Sequence, residues 1–281
     1  MISVVQLEAL DYDEGLRLQN RLLDLRKAGE IGDVLLLLEH TPVITLGRNA
    51  KAGHVLASTE ALAARGVAVF ECDRGGDVTF HGPGQLVGYP ILDLRAYDRP
   101  PQADPGSPLN PSRKTLGVVD YIRRLEEVLI RSCSDFGIGT KRIAGLTGVW
   151  TDPEDTELDR GTGAADGRRE RKIAAIGVHV SRSVTSHGFA LNVNTDLDYF
   201  RLIVPCGIAA KPVTSMQQEL QRELDLNRVA QSVSRNFGSM FGSQMLWVEN
   251  LDALLRPRVG IPMRAPAELR RVRGEDELFL A

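Results

Sequence analysis

Cysteine is scarce in this chain. Cys72, Cys133 and Cys206 are the three in 281 residues, an odd number at wide spacing. That excludes a disulfide framework and a zinc knuckle, and it fits a reducing compartment. No apolar run approaches the ~18 residues needed to cross a bilayer. The start, Met1 to Glu8, lacks the basic residues and apolar stretch of a secretory signal. The expectation is a cytoplasmic protein with no membrane partner. There is no basic run either, and a net charge of −3 gives nucleic acid nothing to bind. No Gly-x-Gly-x-x-Gly opens a helix, no Gly-Lys-Ser/Thr follows a glycine loop, and no His-x-His or His-Glu-x-x-His occurs. Dinucleotide, P-loop and zinc-hydrolase chemistry therefore lack their motifs, and no cofactor or metal is expected.

What is present is a chain with 43% hydrophobic residues, ample for a sizeable core. Helical spacing marks 11–28, 114–136 and 225–241, the second with Leu116, Val119, Ile122, Leu125, Leu129 and Cys133 on its apolar face. Ser58 is placed to cap a short helix that Gly66 ends. Strand-like runs cover 34–38, 43–46, 67–70, 86–94, 172–180 and 184–193, the last two joined by a turn at 181–183. Pro90 argues that its run is an edge or a bulge. Residues 74–85 read as a glycine-rich loop. The mixture predicts an α/β (α+β) fold with a mixed, largely antiparallel central sheet flanked by helices. Residues 1–245 read as one catalytic domain with polar insertions at 99–113 and 151–171, followed by an extension at 246–281.

Four stretches carry chemistry-bearing residues. In Arg74-Gly75-Gly76-Asp77-Val78-Thr79-Phe80-His81-Gly82-Pro83-Gly84-Gln85, glycines let backbone amides approach a ligand and Arg74 offers paired donors. Composition alone equally permits a long turn with a satisfied histidine. In Pro205-Cys206-Gly207, a thiol sits on a tightly specified backbone, and Gly207 leaves its amide open to anything bonded to the sulfur. A free thiol has a pKa near ~8.5, so it needs help to ionise. The plainer alternative is a small buried hydrophobe, as on the helical face at Cys133. In Lys172-Ile173-Ala174-Ala175-Ile176-Gly177-Val178, Lys172 opens an apolar strand. An ammonium there lowers the pKa of a neighbouring thiol, although a strand-end lysine also commonly snorkels to solvent. In His187-Gly188-Phe189-Ala190-Leu191-Asn192-Val193, small and large residues alternate, leaving room for a slender apolar ligand.

Together with Glu39-His40-Thr41-Pro42-Val43-Ile44-Thr45-Leu46-Gly47-Arg48, these ordered motifs resemble the lipoyl(octanoyl) transferases over roughly 35–216. The resemblance implies the fold shared by biotin and lipoate protein ligases. It implies transfer of an octanoyl group from octanoyl-acyl carrier protein, through a thioester, to a lysine of a lipoyl-dependent enzyme. The acceptors implied are the lipoyl domains of 2-oxoacid dehydrogenases and the glycine cleavage H protein. The family's thioester cysteine falls on Cys206 and its lysine on Lys172. Its binding stretches fall on Arg74 to His81, on Ala175, Ile176 and Gly177, and on Gly188, Phe189 and Ala190. The chain departs from the family at His179, where arginine is usual, and at Pro212, where glycine is frequent. An ATP-dependent lipoate or biotin ligase is the rival on the same fold. The lipoate ligases carry a third glycine where this chain has Asp77.

Overall fold

The computed structural model describes residues 1–97, 115–152, 170–204, 212–249, 251 and 254. Among them, eight strands form one sheet in the order β11-β1-β2-β6-β10-β9-β8-β7. Strands β1 (Ile2–Leu10) and β2 (Asp33–His40) run parallel, as do β1 and β11 (Met245–Trp247). From β2 onward the order is antiparallel through β6 (Gln85–Ile91), β10 (Val184–Asn192), β9 (Lys172–Ser181), β8 (Leu146–Thr151) and β7 (Thr140–Ile143). The mixed, mainly antiparallel sheet read from the sequence is thus found. The division at residue 245 falls inside β11.

A second sheet, β4-β3-β5, was not expected. It joins β3 (Val43–Leu46) to β4 (Ala68–Glu71) in parallel and to β5 (Val78–His81) antiparallel. Part of the stretch read as a loop at 74–85 is therefore strand. The alternation Val78-Thr79-Phe80-His81 is only four residues long, and the glycines on both sides mask it. Val78 and Phe80 join a small core with Ile44, Leu62, Val67, Phe200 and Ile203, and the Phe80 ring stacks on Tyr199 at 4.6 Å.

Helix α1 (Tyr12–Ala28) crosses between β1 and β2 and ends at Gly29 in the left-handed conformation. Its Leu22 and Leu23 close a core over Leu36, Leu38, Val87 and Tyr89 on one face of the large sheet. Helices α3 (Val118–Ser134) and α5 (Leu226–Phe241) cover the other face. Leu125, Leu129 and Cys133 are buried there against Val229, Val233 and Phe237. Val119, expected inward, is 69% exposed in the first turn, because the packed face begins at Tyr121. The short helices α2 (Thr59–Ala64) and α4 (Met216–Leu220) are capped by Ser58 and Ser215. Ser58 caps as the sequence suggested.

Pro90 lies in the interior of the sheet, opposite Leu35 of β2, and not at an edge. A central proline lacks the N–H that a ladder needs. The gap falls opposite His187. There the backbone turns to φ 54° and the His187 N–H leaves the sheet to donate to Gln19 Oε1 of α1. The Pro90 carbonyl is satisfied by the Thr185 hydroxyl at 2.7 Å. The irregularity has a local cause and redirects one side chain.

Candidate active site

Between the large sheet and the small one lies a cavity of about 290 Å³. Its floor is the stretch of β9 and β10 where Ala175 faces Ala190 and Gly177 faces Gly188. Small residues on this face leave a slot that larger side chains would fill. A Cβ at Gly177 would come within 2.7 Å of the Gly75 carbonyl, so the Arg74–Gly76 turn rests directly on β9. The Gly75 N–H donates to Val178 O across the same contact. Thr79 and His81 reach the cavity from β5, whereas strand alternation turns Val78 and Phe80 into the small core. Gly76, Asp77, Ile176 and Phe189 complete this part of the wall. Of the binding residues read from the sequence, Gly75, Val78 and Phe80 do not line it.

Lys172 lines the cavity from the first residue of β9 and is 8% exposed. A bulge between Val149 and Trp150 sets it opposite Trp150, and its Nζ lies 5.2 Å from the Trp150 ring centre. Bulges are a common way to re-aim a side chain beside a site. The Lys172 N–H donates to Pro212 O at 2.8 Å, and its carbonyl accepts from Thr214 N at 2.9 Å. The preceding Arg171 is fixed by two bonds of 3.0 Å to Glu219. Cys206 lies outside the described residues. Its flanks are anchored: the Val204 N–H donates to His54 O at 2.8 Å, and Pro212 meets Lys172. The His54 ring bonds to Asp77 at 2.6 Å.

At the opposite end the wall is polar. Arg74, 8% exposed, is spent inside the protein. Its Nη2 donates to Thr45 O at 2.7 Å and to Thr45 Oγ1 at 2.9 Å, its Nε to Thr45 Oγ1 at 3.2 Å, and its Nη1 to Gly75 O at 3.2 Å. Thr45 Oγ1, accepting from Arg74, has its own proton directed at His81 Nε2, 3.4 Å away. His81 Nδ1 donates to Gln85 Oε1 at 2.7 Å, since the Gln85 amide nitrogen is committed to Phe80 O and Asn192 Oδ1. Burial, with the nearby His40 second, pushes the His81 pKa down to about 3, so the ring is neutral. His40 donates from Nδ1 to Leu10 O and accepts at Nε2 from the Tyr89 hydroxyl at 2.6 Å; burial lowers its pKa too. Tyr12, stacked on His81, and Tyr89 are both held protonated by burial.

Several lining residues escaped the sequence reading: Tyr12, Asn49, Tyr89, Gly145 and the start of β8 at Leu146 and Thr147. So did Asp73, whose carboxylate bonds His187 Nε2 at 2.7 Å and also His179 Nδ1. Burial opposes ionisation of Asp73, but its bonds to the His187 and His179 rings outweigh it and keep the pKa low. Arg48 donates to His179 Nε2 at 3.3 Å. His179 thus ties Asp73 to Arg48. Two further basic residues are engaged in ion pairs. Lys141 meets Asp152 at 3.2 Å, and Arg142 meets Glu126 and Glu127.

The cavity joins an apolar slot to one buried lysine and a set of neutral, hydrogen-bonded rings. Such an apolar slot suits a thin acyl chain. Residues 11–238 match the model of the lipoyl protein ligase A/B catalytic domain. An octanoyltransferase of Koribacter versatilis is 57% identical over the full length of both chains. One from Acidobacterium capsulatum is 52% identical, covering 91% of this chain and 96% of its own. The fold is similar to the bipartite lipoate protein ligase of Thermoplasma acidophilum, at TM-score 0.61 and 15% identity over 89% of this chain and 87% of that one. It is equally similar to lipoate-protein ligase A bound with ATP, at TM-score 0.60 and 13% identity over 89% of each. The chain belongs to the octanoyltransferases of the lipoyl protein ligase A/B catalytic-domain family.

Proposed function

We propose that this protein moves an octanoyl group from octanoyl-acyl carrier protein to a specific lysine of a lipoyl domain, through a thioester on Cys206. The acceptors are lipoyl domains of 2-oxoacid dehydrogenases and the glycine cleavage H protein. The observation that carries this reading is the backbone pairing of Lys172 with Pro212 and Thr214, the segment that continues from Cys206. Lys172 opens into a slot floored by Ala175, Gly177, Gly188 and Ala190.

In the first half-reaction the Cys206 thiolate attacks the carrier thioester carbonyl. The new C–S bond forms as the carrier sulfur leaves and takes a proton. The Lys172 ammonium supplies the charge that favours the thiolate. In the second, the acceptor ε-amine attacks the Cys206 thioester, an amide forms and the Cys206 sulfur departs. The amine must shed protons on the way, and Lys172 is the group we assign to relay them. Thioester exchange is nearly balanced, so alignment and the supply of thiolate are the protein's main contributions. We place the reaction in the cytoplasm, where a working thiol stays reduced.

The test is transfer from purified octanoyl-acyl carrier protein to a lipoyl domain with ATP withheld. Octanoylation of the acceptor lysine is expected. A requirement for ATP and free octanoate would overturn the reading in favour of a ligase.

A further inference from the structure

Lys172 is seated by residues that the reaction itself does not name. Gly148, on β8, is buried at φ +123°. A Cβ there would meet Lys172 Cε at 2.8 Å, Lys172 Nζ at 3.4 Å and the Ala174 carbonyl at 2.7 Å. Only glycine both adopts this backbone and leaves the space that the lysine stem occupies. The Gly148 N–H is held in turn. It donates to Glu126 Oε1, on α3, at 3.1 Å. Glu126 is fully buried, and its other oxygen accepts from Arg123 Nη1 at 2.6 Å and from Arg142 Nε at 3.1 Å. A buried carboxylate satisfied from three directions is a rigid anchor. Two residues on, the Trp150 ring covers the ammonium at 5.2 Å.

We propose that Glu126, Gly148 and Trp150 form the seat that fixes the Lys172 ammonium for thiolate formation, with Glu126 a positioning residue acting through the Gly148 amide. The inference rests on the reading of Lys172 above and deepens it. Gly145, Leu146 and Thr147, just before Gly148, line the same cavity as Lys172. The charged and titratable groups that share the cavity with Lys172 are Arg74 and Asp77 on the loop before β5, His81 on β5, His187 on β10, and the tyrosines Tyr12 on α1 and Tyr89 on β6. Arg171, next to Lys172, is paired with Glu219. Glu126 reaches this end through the backbone of β8, so its effect is on position.

The experiment measures single-turnover acyl loading of the full-length enzyme from octanoyl-acyl carrier protein across pH. The variants are Lys172→Met, Gly148→Ala, Glu126→Leu, Glu126→Gln and Trp150→Leu, each checked for folding by circular dichroism. A displacement of about 1 Å at a reacting group costs roughly 100-fold. Gly148→Ala and Glu126→Leu are expected to lose about that much at neutral pH. They are expected to recover as pH rises toward the ordinary thiol pKa near ~8.5, as Lys172→Met does. Glu126→Gln keeps an acceptor for the Gly148 amide and is expected to restore most of the rate. If Gly148→Ala does not fold, Glu126→Leu and Trp150→Leu decide. A shifted profile in Lys172→Met alone, or an equal loss at every pH in the seat variants, overturns the seat. An unshifted profile in Lys172→Met itself overturns the underlying reading of the lysine instead.

Discussion

The backbone N–H of Lys172 donates to the carbonyl of Pro212 at 2.8 Å, although the two residues are forty positions apart. Pro212 is six residues beyond Cys206. Lys172, at the start of its strand, is therefore tied to Pro212 in the segment that follows the cysteine motif in sequence, and several measurable consequences follow from the way the cavity is built.

The first concerns chain length. Ala175 and Ala190 face each other across β9 and β10 on the cavity floor. Ala190→Val fills space equivalent to about two methylenes, worth ~1.6 kcal/mol at ~0.8 kcal/mol each. Loading from octanoyl carrier is expected to fall about 15-fold relative to hexanoyl carrier. Competition between the two donors, read by mass spectrometry, checks this. An unchanged ratio would show that the acyl chain lies elsewhere.

The second concerns acid. Burial lowers the pKa of His40, His81 and His187, that of His81 to about 3. In the unfolded chain each titrates near ~6.5. Below that the unfolded state binds protons that the folded state refuses, so stability falls as pH drops. Each ring contributes up to ~1.4 kcal/mol per pH unit. Urea midpoints are expected to decline between about pH 6.5 and 5, where carboxylates are still mostly ionised. His81→Gln should flatten the decline. A midpoint independent of pH in that window contradicts the assignment of neutral rings.

The third concerns Arg74. Its guanidinium donates to the oxygens of Thr45 and Gly75. Thr45→Val removes two of those acceptances and the hydroxyl facing His81. Leaving buried donors unpaired costs about 1–3 kcal/mol, and the same loss is expected in the stability of the variant. Denaturant unfolding checks it, with Thr45→Ser expected to retain most of the stability.

Much of this molecule was legible beforehand, for identifiable reasons. The apolar faces of α1, α3 and α5 repeat over four or more turns, and the strands on either side of the 181–183 turn are long. Lys172, Ala175 and Gly188 reached the cavity because one strand pair carries them all. The rest depends on distant partners. Strand β5 is four residues between glycines, and β11 is three residues made a strand by pairing with β1. Glu126 reads as one more helix-surface carboxylate until Arg123, Arg142 and Gly148 close on it. Pro90 misled because its missing donor is absorbed by a turn at His187, ninety-seven residues later. Asp73 stands one residue before a conspicuous motif, and only the folding of β9 and β10 brings His179 and His187 to it.

The central claim is that the acyl group passes through Cys206 beside Lys172. The most direct measurement is intact-mass and peptide analysis of the enzyme after one turnover with octanoyl-acyl carrier protein and no acceptor. Cys133 is fully buried, with burial pushing its thiol up to about 12, and should stay unmodified. The account expects one octanoyl group, mapped to the peptide containing Cys206, present in Cys72→Ser and Cys133→Ser and lost in Cys206→Ser. An octanoyl adduct that persists on the Cys206→Ser protein, or full transfer by that protein, would contradict it.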